Sequence, residues 1–340
     1  MSSWMLAEAL EAPAAAARFL AADAGAWAGF GARLRAADPL AVVTVARGSS
    51  DHAASYLAYL LTARLGRPVA SLPMSLVTLR HAPLRVQGLA AFAVSQSGQS
   101  PDVVSSLGAL RRAGALTAAL VNDTAAPLAR AAEWSFGLHA GPERSIAATK
   151  SFVASLTAAA RLVGTWQDDA GFLARLHALP EQLERAGHLD WGNGVPPLAV
   201  AARAIVVSRG LGLAVAAEAA LKLKEICGLH AEAFSAAELQ HGPIALVGPA
   251  EPVLVLAPNG PALGDLVRLA DVLRNHGGTV LLAAPEEIRA RDLTLVATGE
   301  PDLDSLTAVQ SFYPFVAALA EARGCDPDAP PALSKVTRTI

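Results

Sequence analysis

Short apolar runs that close on small or polar residues recur along the chain: LAVVTVARGSS at 40–50, LAAFAVSQSGQS at 89–100 and LTAALVND at 116–123. Helical stretches follow, DHAASYLAYLLTARLG after the first run and PDVVSSLGALRRAG after the second. Runs this short and this uniformly apolar predict strands buried on both faces, and their alternation with helices predicts a parallel sheet covered on both sides. The same grammar returns in AIVVSRG, PVLVLAPNG and GTVLLAAP. Arg47 and Arg209, Gly98 and Gly260, and Thr117 and Thr279 each stand 162 residues apart. A constant offset across three strand ends predicts two copies of one α/β unit. The Gly/Pro-rich GHLDWGNGVPP at 187–197 marks the seam, and the chain ahead of the first sheet reads as helix. The expected division is a helical segment at 1–35, a first domain at 36–186, a second at 197–325 and a closing tail at 326–340.

Composition narrows the picture. A chain of 340 residues fits two domains, and 53% hydrophobic against 17% charged residues excludes long disorder. With 27 Lys+Arg against 30 Asp+Glu and no basic run, neither a nucleic-acid nor a membrane partner is expected. An aromatic content of 5% argues against a base-stacking surface. Cys227 and Cys325 lie far apart without metal-ligand spacing, which argues against a disulfide scaffold or zinc site and for a reducing compartment. Glu8 and Glu11 stand where a signal peptide wants Lys or Arg, Pro13 and Arg18 break the apolar stretch, and no window is long enough to span a bilayer. A soluble cytoplasmic protein is expected.

In open parallel sheets, ligands bind beyond the carboxyl ends of the strands. Here those ends are rich in hydroxyls: Ser49 and Ser50 after Gly48, then Ser95, Gln96, Ser97 and Ser100 around Gly98. Backbone N–H groups, serine hydroxyls and a helix dipole can hold a phosphate without a lysine. Each serine taken alone reads as a cap or turn former. Six polar positions at two strand ends, absent from the second copy's APNGPA, favour phosphate. No nucleotide-binding glycine loop occurs, and RGLGLAV at 209–215 lacks a third glycine.

The second concentration of chemistry is EAALKLKEICGLHAEAFSAAELQHGPIAL at 218–246. At about 100° per residue, Glu218, Lys222 and Glu225 fall at roughly 0°, 40° and −20°, one narrow stripe of a helix, with Lys224 about 120° away and solvent-facing. An exposed salt-bridge face is the plain alternative to a stripe lining a cleft. His241, stopped by Gly242-Pro243, ends a short helix, and His230, Glu232 and Glu238 add groups able to move protons near neutral pH. Lys335 stands alone in the closing PALSKVTRTI, where an exposed tail lysine is the ordinary expectation.

These segments resemble the tandem sugar isomerase (SIS) domain proteins, in particular the isomerase half of glucosamine-6-phosphate synthases. RGSSDHAA, SQSGQSPD, AATKSF, EAALKLKEICGLHAEAF, ELQHGP and LSKVT carry the resemblance from about residue 40 to the end. It implies an α/β fold of two tandem doubly wound, flavodoxin-like parallel sheets with helices on both faces. It implies that Ser50, Ser95, Gln96, Ser97 and Ser100 grip a sugar phosphate, with Gly48, Ser49 and Ala147 of the AATK segment at the sugar. Glu225 would move the proton between carbons 1 and 2, with Glu218 and Lys222 beside it. His241 would assist ring opening in the partner's site of a homodimer, and Lys335 would close over the open-chain sugar. No cofactor or metal is implied.

Two departures bear on the substrate: Arg47 stands where the synthases have a small residue, and Gln99 where they usually have Glu. The chain reaches its first sheet by residue 40, so a glutaminase domain does not fit ahead of it and glutamine-dependent synthesis is not expected. The leading expectation is a glucosamine-6-phosphate deaminase giving fructose 6-phosphate and ammonia. Galactosamine-6-phosphate deaminase, fructosamine-6-phosphate deglycase and plain aldose–ketose isomerisation are the alternatives within the fold. A non-catalytic sugar-phosphate sensor is the alternative of another class, although no basic helix-turn-helix precedes residue 40.

Overall fold

The computed structural model describes residues 3–335. The chain divides into two compact units. The first comprises residues 14–143 and 151–177 with the tail from Ser334, and the second comprises residues 144–150 and 178–333 with the N-terminal residues up to Pro13.

The first unit carries strands β1 (Val42–Val45), β2 (Val69–Ser71), β3 (Ala90–Ser95), β4 (Leu116–Val121) and β5 (Trp134–Gly137). The second carries β6 (Arg203–Ser208), β7 (His230–Ser235), β8 (Val253–Leu256), β9 (Val280–Pro285) and β10 (Leu293–Leu295). All pairings are parallel, in the orders β2-β1-β3-β4-β5 and β10-β9-β8-β6-β7. Read from the other edge, the second order is the first one repeated, so the two units share one topology.

Strand alternation explains how both faces of the first sheet are buried. Val43, Val45, Ala91 and Ala93 point to one face, where Val103, Leu107 and Leu110 of the helix Pro101–Arg112 pack on them. On the other face Phe92 meets Phe30 of the helix Ala24–Ala37 and Trp166 of the helix Lys150–Gln167, at ring-centroid distances of 6.3 and 6.4 Å. In the second unit Ile205, Val207, Val253, Val255 and Leu269 form the matching core. Each lies 162 residues after Val43, Val45, Ala91, Ala93 and Leu107 respectively, so the offset holds in the core as well as at strand ends.

It fails at the third pair. Thr117 pairs with Ala91, whereas Val253, the counterpart of Ala91, pairs with Val280 rather than Thr279. The helix Pro101–Arg112 has 12 residues and the helix Leu263–Asn275 has 13, so the offset is already 163 at the glycines that follow them, Gly114 and Gly277, and one extra residue in the helix shifts the register. The seam at 187–197 also contains regular structure: a 3₁₀ turn at Gly192–Gly194 and a short helix at Val195–Ala199. Its prolines sit in a first turn, where a missing N–H costs no intrahelical bond. Among the described residues no helix is long and apolar enough to cross a membrane.

Candidate active site

In the first unit β1 and β3 are neighbours, and the sheet grows outward from them in opposite directions, so their carboxyl ends define the switch point where open α/β sheets bind ligands. Gly48 follows β1 with φ 54° and caps the helix Ser49–Leu65, placing half-buried Ser49 and Ser50 in its first turn. Ser95 ends β3, Gln96 and Ser97 lead into the turn at Gly98, and Ser100 caps the helix Pro101–Arg112. Ser95 Oγ accepts the Gly98 N–H at 3.0 Å, and Ser97 Oγ accepts the Gln99 N–H at 3.2 Å. These serines therefore shape the turn, and a hydroxyl that accepts a backbone N–H keeps a proton to give to an anion.

Gly98 is fixed by two constraints: its φ is +63°, and a Cβ there would lie 2.6 Å from Ala126 Cβ and 2.8 Å from Val121 Cγ2. Strain and overpacking together should make Gly98→Ala destabilising by about 2–4 kcal/mol. Urea unfolding would read that loss, and a phosphate ester should protect the variant less than the parent.

Arg47 was legible only as a departure from the family pattern, and the structure gives it a partner. Its guanidinium bonds Asp102 Oδ2 through Nε and Nη2, both at 2.8 Å, with the Asp102 side chain buried and Arg47 half-exposed beside the serine turns. The serine loops thus carry one cation held by one buried carboxylate. Close by, burial raises the Asp51 carboxyl pKa while His52 and Arg47 pull it partly back.

The tail lysine is not a solvated charge. Lys335 Nζ donates to Glu143 Oε2 at 3.2 Å, with the lysine side chain 26% and the glutamate side chain 0% exposed. Residues 336–340 of the closing segment lie outside the described residues.

In the second unit Glu218, Lys222 and Glu225 share one face of the helix Gly212–Cys227, and the buried arrangement replaces the exposed salt-bridge alternative. Lys222 Nζ lies 3.2 Å from Glu218 Oε1 and 2.6 Å from Glu225 Oε2. Side-chain exposure is 0% for Glu218 and 1% for Lys222 but 22% for Glu225, so of the two carboxylates only Glu225 can meet a substrate. Burial alone would lower the Lys222 pKa, but the flanking Glu218 and Glu225 carboxylates more than offset it and hold the ammonium above its ordinary value. Lys224 is exposed, as its angle on the helix requires.

His241 is exposed and caps the short helix Ala236–Gln240, its N–H donating to the Glu238 carbonyl at 3.0 Å. His230 and Glu232 do not join a proton-moving cluster at the strand carboxyl ends. They lie at the start of edge strand β7, His230 paired with Arg203 at the start of β6. There they line a crevice of about 400 Å³ with Arg203, Leu246 and Glu251. Ala147 is buried in the segment 144–150, which the N-terminal helix Trp4–Leu10 grips. Glu8 accepts the N–H groups of Arg144 and Ser145, and Lys150 Nζ donates to Glu11 at 2.6 Å.

The second unit's own switch point, between β6 and β8, is a crevice of only about 60 Å³ lined by Leu211, Pro258, Asn259 and Pro261 among others. That is room for a few waters. Beside the crevice Ser208 Oγ donates to the Leu256 carbonyl, and in its lining Asn259 Nδ2 donates to Asp304, whereas the buried Ser305 hydroxyl makes no hydrogen bond among the described residues. Among the described residues, the row of serines at the strand ends of the first copy has no counterpart in the Leu211–Pro261 crevice, whose lining includes one serine, Ser305.

The SIS domain model matches residues 37–163 and 197–286. A glutamine–fructose-6-phosphate aminotransferase (isomerizing) of Zymomonas mobilis subsp. mobilis is 32% identical over 314 residues, covering 86% of this chain and 51% of that protein. The chain spans about half the length of the curated relatives it matches. A protein from Silicibacter pomeroyi DSS-3, provisionally assigned as a phosphosugar isomerase, superposes with a TM-score of 0.89 at 43% identity, covering 96% of this chain and all of that one. The glucosamine-6-phosphate deaminase of Thermotoga maritima shares the fold with a TM-score of 0.79 at 22% identity, covering 99% of this chain and 100% of that one.

Proposed function

The chain belongs to the SIS domain family, and from that premise we propose that it is a phosphosugar isomerase that deaminates glucosamine 6-phosphate to fructose 6-phosphate and ammonia. The Glu225 carboxylate carries this reading: it is the accessible member of a buried Glu–Lys–Glu row. A largely buried carboxylate that keeps some exposure and is fixed by a buried ammonium suits a proton carrier, because it is held in one place and still reaches solvent or substrate.

The serine turns at Ser49–Ser50 and Ser95–Ser100 hold the phosphate, with Arg47 adding a charge that Asp102 orients. His241 assists opening of the pyranose, which exposes the carbon 1 aldehyde and acidifies the hydrogen on carbon 2. Glu225 removes that proton, giving an enolamine, and returns it to carbon 1. The ketimine formed at carbon 2 then takes up water and releases ammonia. One base serves both transfers because the two carbons are adjacent. Lys335 gives a proton to the carbonyl oxygen as carbon 2 is deprotonated.

Coupled assays of ammonia and fructose 6-phosphate across glucosamine 6-phosphate, galactosamine 6-phosphate, fructosamine 6-phosphate and glucose 6-phosphate test the assignment. Ammonia and ketose in equal amounts from the first substrate are expected. Ketose from glucose 6-phosphate with no ammonia from any amino sugar would instead favour plain isomerisation, the reading that the name of the Silicibacter pomeroyi relative supports.

The same reading takes the protein as a homodimer in which His241 serves the partner's site. His241→Ala should lose about 10²–10⁴-fold in turnover. Mixing that variant with Glu225→Gln subunits should restore activity to a fraction of the parent's, since some mixed dimers regain one intact site. A mixture no more active than its components would show that each chain completes its own site.

A further inference from the structure

Glu143 has no role in the chemistry above, yet its environment is unusual for a carboxylate: its side chain is fully buried. Donors from Ser151 and Lys335 converge on it. Oε1 accepts the Ser151 N–H at 3.1 Å, and Oε2 accepts the Ser151 hydroxyl at 2.6 Å and the Lys335 ammonium at 3.2 Å. A buried carboxylate is costly unless paired and hydrogen-bonded, so the lysine that approaches it is held there by opposite charge as well as by a hydrogen bond. From Gly324 to Lys335 the chain contains turns and bends but no helix or strand, so its own backbone does little to fix the lysine.

We propose that Glu143 is a positioning residue: it anchors Lys335, so that the placement of the tail amine is set by a buried carboxylate beside the start of the helix Lys150–Gln167. The catalytic consequence rests on the role given to Lys335 above, whereas the anchoring does not.

Lys335 accessibility can be measured directly in the full-length protein, as the rate at which an amine-reactive ester labels it, read by mass spectrometry with Lys224 as internal reference. In Glu143→Gln, which keeps acceptors for Ser151 but removes the charge, labelling of Lys335 should rise about tenfold relative to Lys224. Ser151→Ala removes a neighbour of the carboxylate and leaves the charge, so Lys335 labelling should stay near the parent rate. Unchanged labelling in Glu143→Gln would overturn the proposal, as would an equal rise in both variants, which is what a merely structural role in starting the helix predicts.

Turnover gives the second readout. Glu143→Gln should lower kcat on glucosamine 6-phosphate about 10–100-fold with little change in KM, and adding Lys335→Met should cost no more than Lys335→Met alone. Full additivity of the two losses would contradict the anchoring. If the parent protein turns over no phosphosugar, the functional reading fails while the labelling result still decides the anchor.

Discussion

Glu225→Gln is expected to lower turnover of glucosamine 6-phosphate by about a thousandfold or more while the protein keeps its fold. The amide retains an oxygen that can accept from Lys222 Nζ, which lies 2.6 Å from Oε2 in the parent, so the packing of the helix is preserved. What is lost is the basic site. General acid–base groups contribute typically about 10²–10⁴-fold each, and here a single carboxylate acts in two proton transfers, which places the expected loss toward the upper end. The phosphate grip lies in other residues, so KM should change little and the loss should fall on kcat. A variant with near-parental kcat would remove Glu225 from the chemistry.

The second large effect is on stability. Lys222→Met removes an ammonium that is wholly buried between two carboxylates, one of them, Glu218, fully buried as well. Deleting one partner of a buried ionic arrangement leaves charge that the interior does not solvate, and the usual cost is about 3–5 kcal/mol. The midpoint of urea unfolding should fall accordingly. Pairing the change with Glu218→Gln should recover much of the loss, because the charge left behind is then gone. The pH dependence follows from the raised Lys222 pKa: its contribution is complete below the ordinary lysine value and is lost as pH rises through the higher folded value. The parent should therefore lose this advantage over Lys222→Met only in strongly alkaline solution.

The parts of the fold that showed in the sequence are those whose residues are buried on both faces. β1, β3, β4, β6, β8 and β9 are buried along their whole length and carry no charge, apart from Arg203 at the exposed start of β6, with Thr44, Ser95, Thr117 and Ser208 as their polar residues. The edge strands left weaker traces. β2 is three residues long and largely exposed, and β7 alternates His230, Ala231, Glu232, so its charges read as chemistry when they mark a strand with a solvent-facing side.

The candidate site divides in the same way. The Glu218–Lys222–Glu225 row was visible because three and four residues make one helix face. The contacts of Glu143 with Lys335, of Arg47 with Asp102 and of Glu8 with Arg144 and Ser145 join residues 55 to 192 positions apart, and no local periodicity connects them. In the folded chain Glu8 and Glu11 hold the segment that contains Ala147.

A crystal structure of the Glu225→Gln protein with glucosamine 6-phosphate tests the central claim most directly, because the variant should bind the substrate without consuming it. The phosphate is expected within hydrogen-bond distance of Ser50 and the Ser95–Ser100 turn, with carbons 1 and 2 of the sugar against the side chain at position 225. A phosphate seated away from those turns, or a sugar whose carbon 2 faces away from position 225, would contradict it.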